Sequence, residues 1–124
     1  MLAAEVTSWD GGLARLRIGK AHLECVAGGA DIEVGQIPLR VWACIRAEDV
    51  TLLYGAGQAS SARNRLPGRV RTVDIEGPLA RVELDCGFPM VAAITAQSAD
   101  EMKLRTGDTV VAAVKAAAMH LIRG

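Results

Sequence analysis

The chain has 124 residues, 51% of them hydrophobic, and its 14 basic and 14 acidic residues cancel. That length holds one ordinary domain or two very small ones sharing a core, and the neutral balance removes the bulk electrostatic argument for a nucleic-acid or anionic-membrane partner. No apolar stretch approaches the roughly 20 residues of a membrane span, and the N-terminus lacks the basic-then-apolar pattern of a signal peptide, so the expected compartment is the cytoplasm.

In chain order, the apolar period is two nearly everywhere. Ala14, Leu16 and Ile18 alternate with Arg15 and Arg17, and Leu39, Val41, Ala43 and Ile45 alternate with Arg40, Trp42, Cys44 and Arg46. Ala80, Val82 and Leu84 alternate with Arg81, Glu83 and Asp85, and after a Gly87-Phe88-Pro89 turn the pattern continues through Met90, Ala92 and Ile94. Such alternation predicts half-buried strands, with connections at Gly11-Gly12, Gly28-Gly29, Pro67-Gly68 and Gly77-Pro78. One short helix is expected over 98–104, with Ser98 and Glu101 as its capping box and Gly107 beyond its end, plugging one end of a barrel. The alanine-rich run at 112–118 is entered by Thr109-Val110-Val111 and left by Met119-His120-Leu121-Ile122, which predicts two strand pieces around a bend rather than a helix.

The sequence repeats. Leu13-Ala14-Arg15-Leu16-Arg17-Ile18 matches Leu79-Ala80-Arg81-Val82-Glu83-Leu84. Val41-Trp42-Ala43-Cys44-Ile45-Arg46-Ala47 matches Val110-Val111-Ala112-Ala113-Val114-Lys115-Ala116, and Val50, Leu52 and Leu53 match Met119, Leu121 and Ile122 at the same offset. The expectation is two units, 1–56 and 57–124, meeting in the Gly-, Ala-, Gln- and Ser-rich segment between Tyr54 and Ser60. Each has about five short strands, too few to be stable alone, and closes as a five-stranded Greek-key barrel of the OB type, so the fold class is all-β.

The chemistry concentrates in two places. Ser60-Ser61-Ala62-Arg63-Asn64-Arg65-Leu66-Pro67-Gly68 and Val114-Lys115-Ala116 supply hydroxyls, guanidinium and ammonium suited to gripping a small tetrahedral anion; either segment alone also reads as an ordinary polar loop or a solvated strand. Arg63, Arg65, Arg69 and Arg71 precede any acid until Asp74, a local positive field that suits a small anion better than a polymer. Trp9, Trp42, Tyr54 and Phe88 are too scattered for a base-stacking face. Cys25, Cys44 and Cys86 form no C-x-x-C pair and read as buried free thiols, with neither disulfide nor zinc implied. Gly12 to Lys20 is no phosphate loop, because its glycines are spaced wrongly and Ala21 stands where Ser or Thr is needed; His22 and His120 have no nucleophile at a suggestive spacing. No catalysis and no cofactor are expected.

Ser61-Ala62-Arg63-Asn64, Leu66-Pro67-Gly68, Ile94-Thr95 with Ser98, Gly107 and Val114-Lys115-Ala116 together resemble the molybdate-binding Mop or TOBE domain, over residues 60–124. The first half resembles a degenerate copy, with Ile45-Arg46-Ala47-Glu48-Asp49-Val50 in place of the Lys-Ala segment and Ala3-Ala4-Glu5-Val6 where Ser-Ala-Arg-Asn would stand. This pairing is similar to the C-terminal regulatory region of a molybdate ABC transporter's ATP-binding subunit, with stand-alone two-Mop storage proteins as the competitor. The resemblance implies molybdate or tungstate bound between Mop units. Ser61 would offer a hydroxyl and amide, Arg63 a guanidinium, Thr95 a hydroxyl, Lys115 an ammonium, and Ala116 and Ala117 backbone N–H groups, with Ala62 and Asn64 completing the segment. Ser98 is assigned to capping, and Arg46 to structure or a weak second contact, since Glu48 and Asp49 repel an anion. Four or five charge-assisted hydrogen bonds of about 1.5–3 kcal/mol suffice for micromolar binding, roughly 8 kcal/mol. The implied partners are a second copy and an ATPase domain, which would lie upstream with Met1-Leu2 opening an excised piece. The implied mechanism is trans-inhibition, in which bound anion holds two copies together and their ATPase domains apart. A structural accessory domain that no longer binds anion is a further alternative.

Overall fold

The computed structural model describes residues 1–26, 37–55 and 60–123; the Gly28-Gly29 connection and most of the segment between Tyr54 and Ser60 lie outside the described residues. The strands are β1 (Leu2–Asp10), β2 (Leu13–Ile18), β3 (Ala21–Val26), β4 (Leu39–Ile45), β5 (Thr51–Leu53), β6 (Asn64–Glu76), β7 (Leu79–Asp85), β8 (Pro89–Thr95), β9 (Thr109–Val114) and β10 (Met119–Arg123). One helix, α1 (Ala96–Met102), and two 3-10 turns, Ala47–Asp49 and Ala116–Ala118, complete the described elements.

They form two antiparallel five-stranded sheets, in the orders β10-β4-β1-β2-β3 and β5-β9-β6-β7-β8, each an OB-like barrel. The alternation sets which residues go inside: Ala14, Leu16 and Ile18 of β2 are buried while Arg15 and Arg17 face out, and Ala80, Val82 and Leu84 repeat this on β7. The long strands β1 and β6 each carry a register shift, between Val6 and Ser8 and between Val70 and Thr72, a bulge that bends a strand around a barrel. Gly11 and Gly12 both have positive φ, the requirement of a two-residue type I′ hairpin between β1 and β2.

The barrels exchange strands. After β4 the chain passes through the turn Ala47–Asp49 and β5 leaves to pair with β9 of the other sheet; after β9 it passes through Ala116–Ala118 and β10 returns to pair with β4. Each sheet therefore takes its fifth strand from the other repeat, and the core is continuous from Val6 and Leu16 to Val82 and Val114. The alanine-rich run is two strands around a bend, as its flanks predict.

Three expectations are corrected. Pro67-Gly68 is no connection: both residues lie inside β6, opposite Val111 and Val110 of β9. The helix begins at Ala96, capped by Thr95 rather than Ser98, because Thr95 is extended and its Oγ1 accepts the Ser98 N–H at 3.0 Å while its hydroxyl donates to Ser98 Oγ at 2.8 Å. Left-handed Lys103 ends it after Met102, two residues earlier than the expected Leu104. Finally, Leu2 pairs with Ala43 and Leu66 with Ala112, and Ala43 and Ala112 are matching places of the repeat. Ala3-Ala4-Glu5-Val6 thus matches residues 67–70, and the places that match Ser61-Ala62-Arg63-Asn64 precede residue 1. Residues 3–6 are therefore no sign of a lost signature.

Candidate functional site

The predicted anion ligands do not converge on one place in the single chain; they divide between two clefts and one remote position. The first cleft, of about 410 Å³, is lined by Ser60, Ser61, Ala62 and Lys115 together with Glu48, Asp49, Thr51 and Leu53. Two elements build it. The loop before β6 is tied by Ser60, whose Oγ accepts the Ala62 N–H at 3.2 Å and an Arg65 Nη2–H at 2.8 Å. That turn leaves Ser61 at its exposed tip. Opposite, β9 ends at Val114, and exposed Lys115 leads into the turn Ala116–Ala118, which closes as the Ala118 N–H donates to the Lys115 carbonyl at 2.9 Å. A turn of this kind leaves its first N–H groups, here those of Ala116 and Ala117, without an acceptor inside the turn. Ala116 itself is buried and Ala117 exposed.

The cleft's charge is mixed. Glu48 and Asp49 stand on the wall facing Lys115, since β5 follows them directly and pairs with β9. Arg46 answers them: its Nε donates to Asp49 Oδ2 at 3.0 Å and lies 3.8 Å from Glu48 Oε1. Arg46 is thereby engaged within its own turn, and Lys115 is the cation that the cleft itself presents.

Arg63 and Asn64 face the other way. They line a second cleft of about 420 Å³ with Thr7, Ser8, Arg15, His22, Leu23 and Glu24. Asn64 is 3% exposed; its Oδ1 accepts the Glu24 N–H at 2.7 Å and its Nδ2 donates to the Glu24 carbonyl at 2.8 Å. Its amide thus acts as one extra rung between β6 of one barrel and β3 of the other. The Arg63 Nε donates to Glu24 Oε2 at 3.0 Å. This hydrogen bond, with the further charge of Arg63 and Arg15, holds the Glu24 carboxyl below its usual range despite some opposing desolvation. Thr95 lies at the far end of the second sheet, opposite Leu79 beside the β6–β7 hairpin, where it caps α1.

Sequence reasoning missed Ser60 as an organiser of the first cleft and Glu24 as the residue on which Arg63 and Asn64 meet. For Ser60 a local signal existed, a hydroxyl two residues before the N–H it accepts. For Glu24 there was none, because 39 residues separate it from Arg63. Among the described residues no group of three or more His, Cys, Asp and Glu is placed to hold a metal ion, and no helix is long and apolar enough to cross a membrane.

The family model of the TOBE domain matches residues 60–121. The molybdate/tungstate import ATP-binding protein WtpC of Pyrococcus horikoshii is 34% identical over 108 residues, covering 80% of this chain and 31% of that protein. The molybdenum import ATP-binding protein ModC of Brucella abortus is 39% identical over 95 residues, 72% of this chain and 26% of that protein. The chain thus spans about a third or less of these curated relatives. The crystal structure of the cytoplasmic molybdate-binding protein ModG, with molybdate bound, shares the fold at a TM-score of 0.84 and 24% identity, covering 99% of this chain and 94% of that one.

Proposed function

The chain belongs to the TOBE domain family, and from that premise we propose that it binds a tetrahedral oxyanion, molybdate or tungstate, in the cleft between Ser61 and Lys115. The observation that carries this reading is the meeting of the Ser60-Ser61-Ala62 loop with Lys115 in one cleft, from opposite ends of the second repeat. A dianion there receives the Ser61 hydroxyl, the Lys115 ammonium and the Ala116 and Ala117 N–H groups, charge-assisted donors that each contribute about 1.5–3 kcal/mol. Small residues after Lys115 leave room for the anion to approach the main chain. Glu48 and Asp49 push it toward the Lys115 wall.

Thr95, the remaining hydroxyl that the resemblance implies as a ligand, is remote within the chain and reaches this cleft only from another copy. The site is therefore completed by a second copy, which contributes Thr95, and binding drives dimerisation. The names of the relatives, import ATP-binding proteins, support a partner ATPase, and the reading extends to its regulation in the cytoplasm, where anion accumulating inside stabilises the paired arrangement and holds the ATPase domains apart. Such control requires that the anion prefer the paired state, since equal affinity for both would shift nothing. On this reading the chain itself catalyses nothing and needs no cofactor. Calorimetric titration with molybdate tests it: micromolar binding with a shift to dimer is expected, and loss of binding in Ser61→Ala plus Lys115→Ala. Absence of binding at millimolar anion, or binding indifferent to both substitutions, would overturn it.

A second reading is favoured by the fold of ModG, which this chain covers almost from end to end: two barrels that store the anion without an ATPase. The joined ATPase domain distinguishes the two, because only regulation predicts that molybdate slows ATP hydrolysis.

A further inference from the structure

Arg63 and Lys115 stand one rung beyond the last pair of the β6–β9 ladder, Asn64 with Val114, so the two cations flank the same strand end. Yet the Arg63 side chain is turned to the opposite side, onto the carboxylate of Glu24 at 3.0 Å. Glu24 is well placed to hold it there. Its own backbone N–H and carbonyl are both bound by the Asn64 amide, which fixes β3 against the start of β6, and its side chain is only 20% exposed where that of Arg63 is 66% exposed. The mobile member of the pair is therefore the guanidinium, not the carboxylate. Arg15 lines the same cleft and its charge keeps it favourable to the carboxylate.

We propose that Glu24 is an internal competitor of the oxyanion for Arg63: it holds the guanidinium in the second cleft until a bound dianion draws it across the strand end toward Lys115, and so sets the affinity of the site. The inference rests on the oxyanion reading above. A carboxylate carries one charge against the two of the ligand, and the guanidinium can form the same forked pair with either. Exchange of partners is thus favourable once the dianion sits beside Lys115, but part of the gain is offset by the lost Arg63–Glu24 pair. An ion pair this exposed is a weak one, so the competition attenuates binding without blocking it, by about two- to fivefold.

The test is calorimetric titration of molybdate into the wild-type chain, Glu24→Gln, Arg63→Ala and the double variant, with thermal unfolding confirming that the Asn64 clamp on the Glu24 backbone keeps each one folded. Glu24→Gln is expected to bind about two- to fivefold tighter, Arg63→Ala more weakly, and the Glu24 substitution to have no effect once Arg63 is gone. Equal tightening in both backgrounds would mean that Glu24 acts only as a distant negative charge, and no tightening that it does not compete; either overturns the proposal while molybdate binding dependent on Ser61 and Lys115 leaves the function standing. Binding in Glu24→Gln that ignores Ser61 and Lys115 removes the function at the first cleft. Binding in neither wild type nor Glu24→Gln removes both.

Discussion

Asn64 shows how far a residue's identity can be read without its neighbours. The signature segment predicts it as part of an anion site, whereas its buried amide is occupied by the main chain of Glu24. Asn64→Ala leaves that N–H and carbonyl without partners in a part-buried place, at about 1–3 kcal/mol for each unsatisfied group. A loss of about 2–4 kcal/mol in urea unfolding is expected, and a loss under about 0.5 kcal/mol would show that water replaces the amide. The cysteines make a second case at this scale. Burial pushes the Cys25 thiol up to about 11, and burial with the neighbouring Asp85 charge does the same for Cys86. Cys25 Sγ also sits 3.3 Å from the Met119 carbonyl, where β3 meets the incoming β10. Because the thiolate is the reactive form, both are almost wholly protonated near pH 8 and alkylation of the folded chain begins at Cys44, the remaining part-exposed thiol. Mass spectrometry of a partly alkylated sample checks this, and early modification of Cys25 or Cys86 contradicts it. Three separate free thiols were legible from spacing alone; that only Cys25 is buried, with Cys44 and Cys86 part-exposed, was not.

Among the elements, β6 and α1 depart most from their local signals, and for different reasons. Pro67-Gly68 has the composition of a turn, but both neighbours of β6 in that region override it: β9 pairs along one side, and Cys86 approaches so closely that a Cβ at Gly68 would lie 2.8 Å from its Sγ. Glycine is thus required there by packing rather than by a turn. Gly68→Ala is expected to cost about 1–3 kcal/mol of overpacking, and much less in a Cys86→Ala background; equal costs in both would place the clash elsewhere. For α1 the sequence offered two hydroxyls three residues apart, Thr95 and Ser98, and the choice between them depends on where β8 ends. Pairing of Thr95 with Leu79 carries the strand to that residue, which leaves Thr95 extended and free to cap. Thr95→Ala should therefore lower stability by about 1 kcal/mol, and Thr95→Asp, another good cap, should restore most of it. Thermal unfolding of the two variants reads the difference.

At the level of the whole molecule, the exchange of β5 and β10 makes the two barrels interdependent. Each barrel lacks an edge strand unless the other repeat is folded beside it, so a single cooperative unfolding transition is expected by fluorescence and circular dichroism alike. Removing residues 119–123 should disturb the first barrel, not the second in whose repeat they lie, because they pair with Val41 to Ile45 of β4; amide exchange localises the damage. The sequence alone determined the clearly alternating strands β2, β4, β7 and β8, their inward faces and the twofold repeat, because period-two alternation is a local property that burial enforces whatever the partner. It also marked Ser61, Lys115 and their neighbours as the polar groups worth watching. Only the tertiary structure decided that the repeats trade strands, that Asn64 clamps and Thr95 caps, and that Arg63 meets Glu24. Those outcomes depend on which distant segments become neighbours, and spacing along a chain carries no information about a partner 40 residues away.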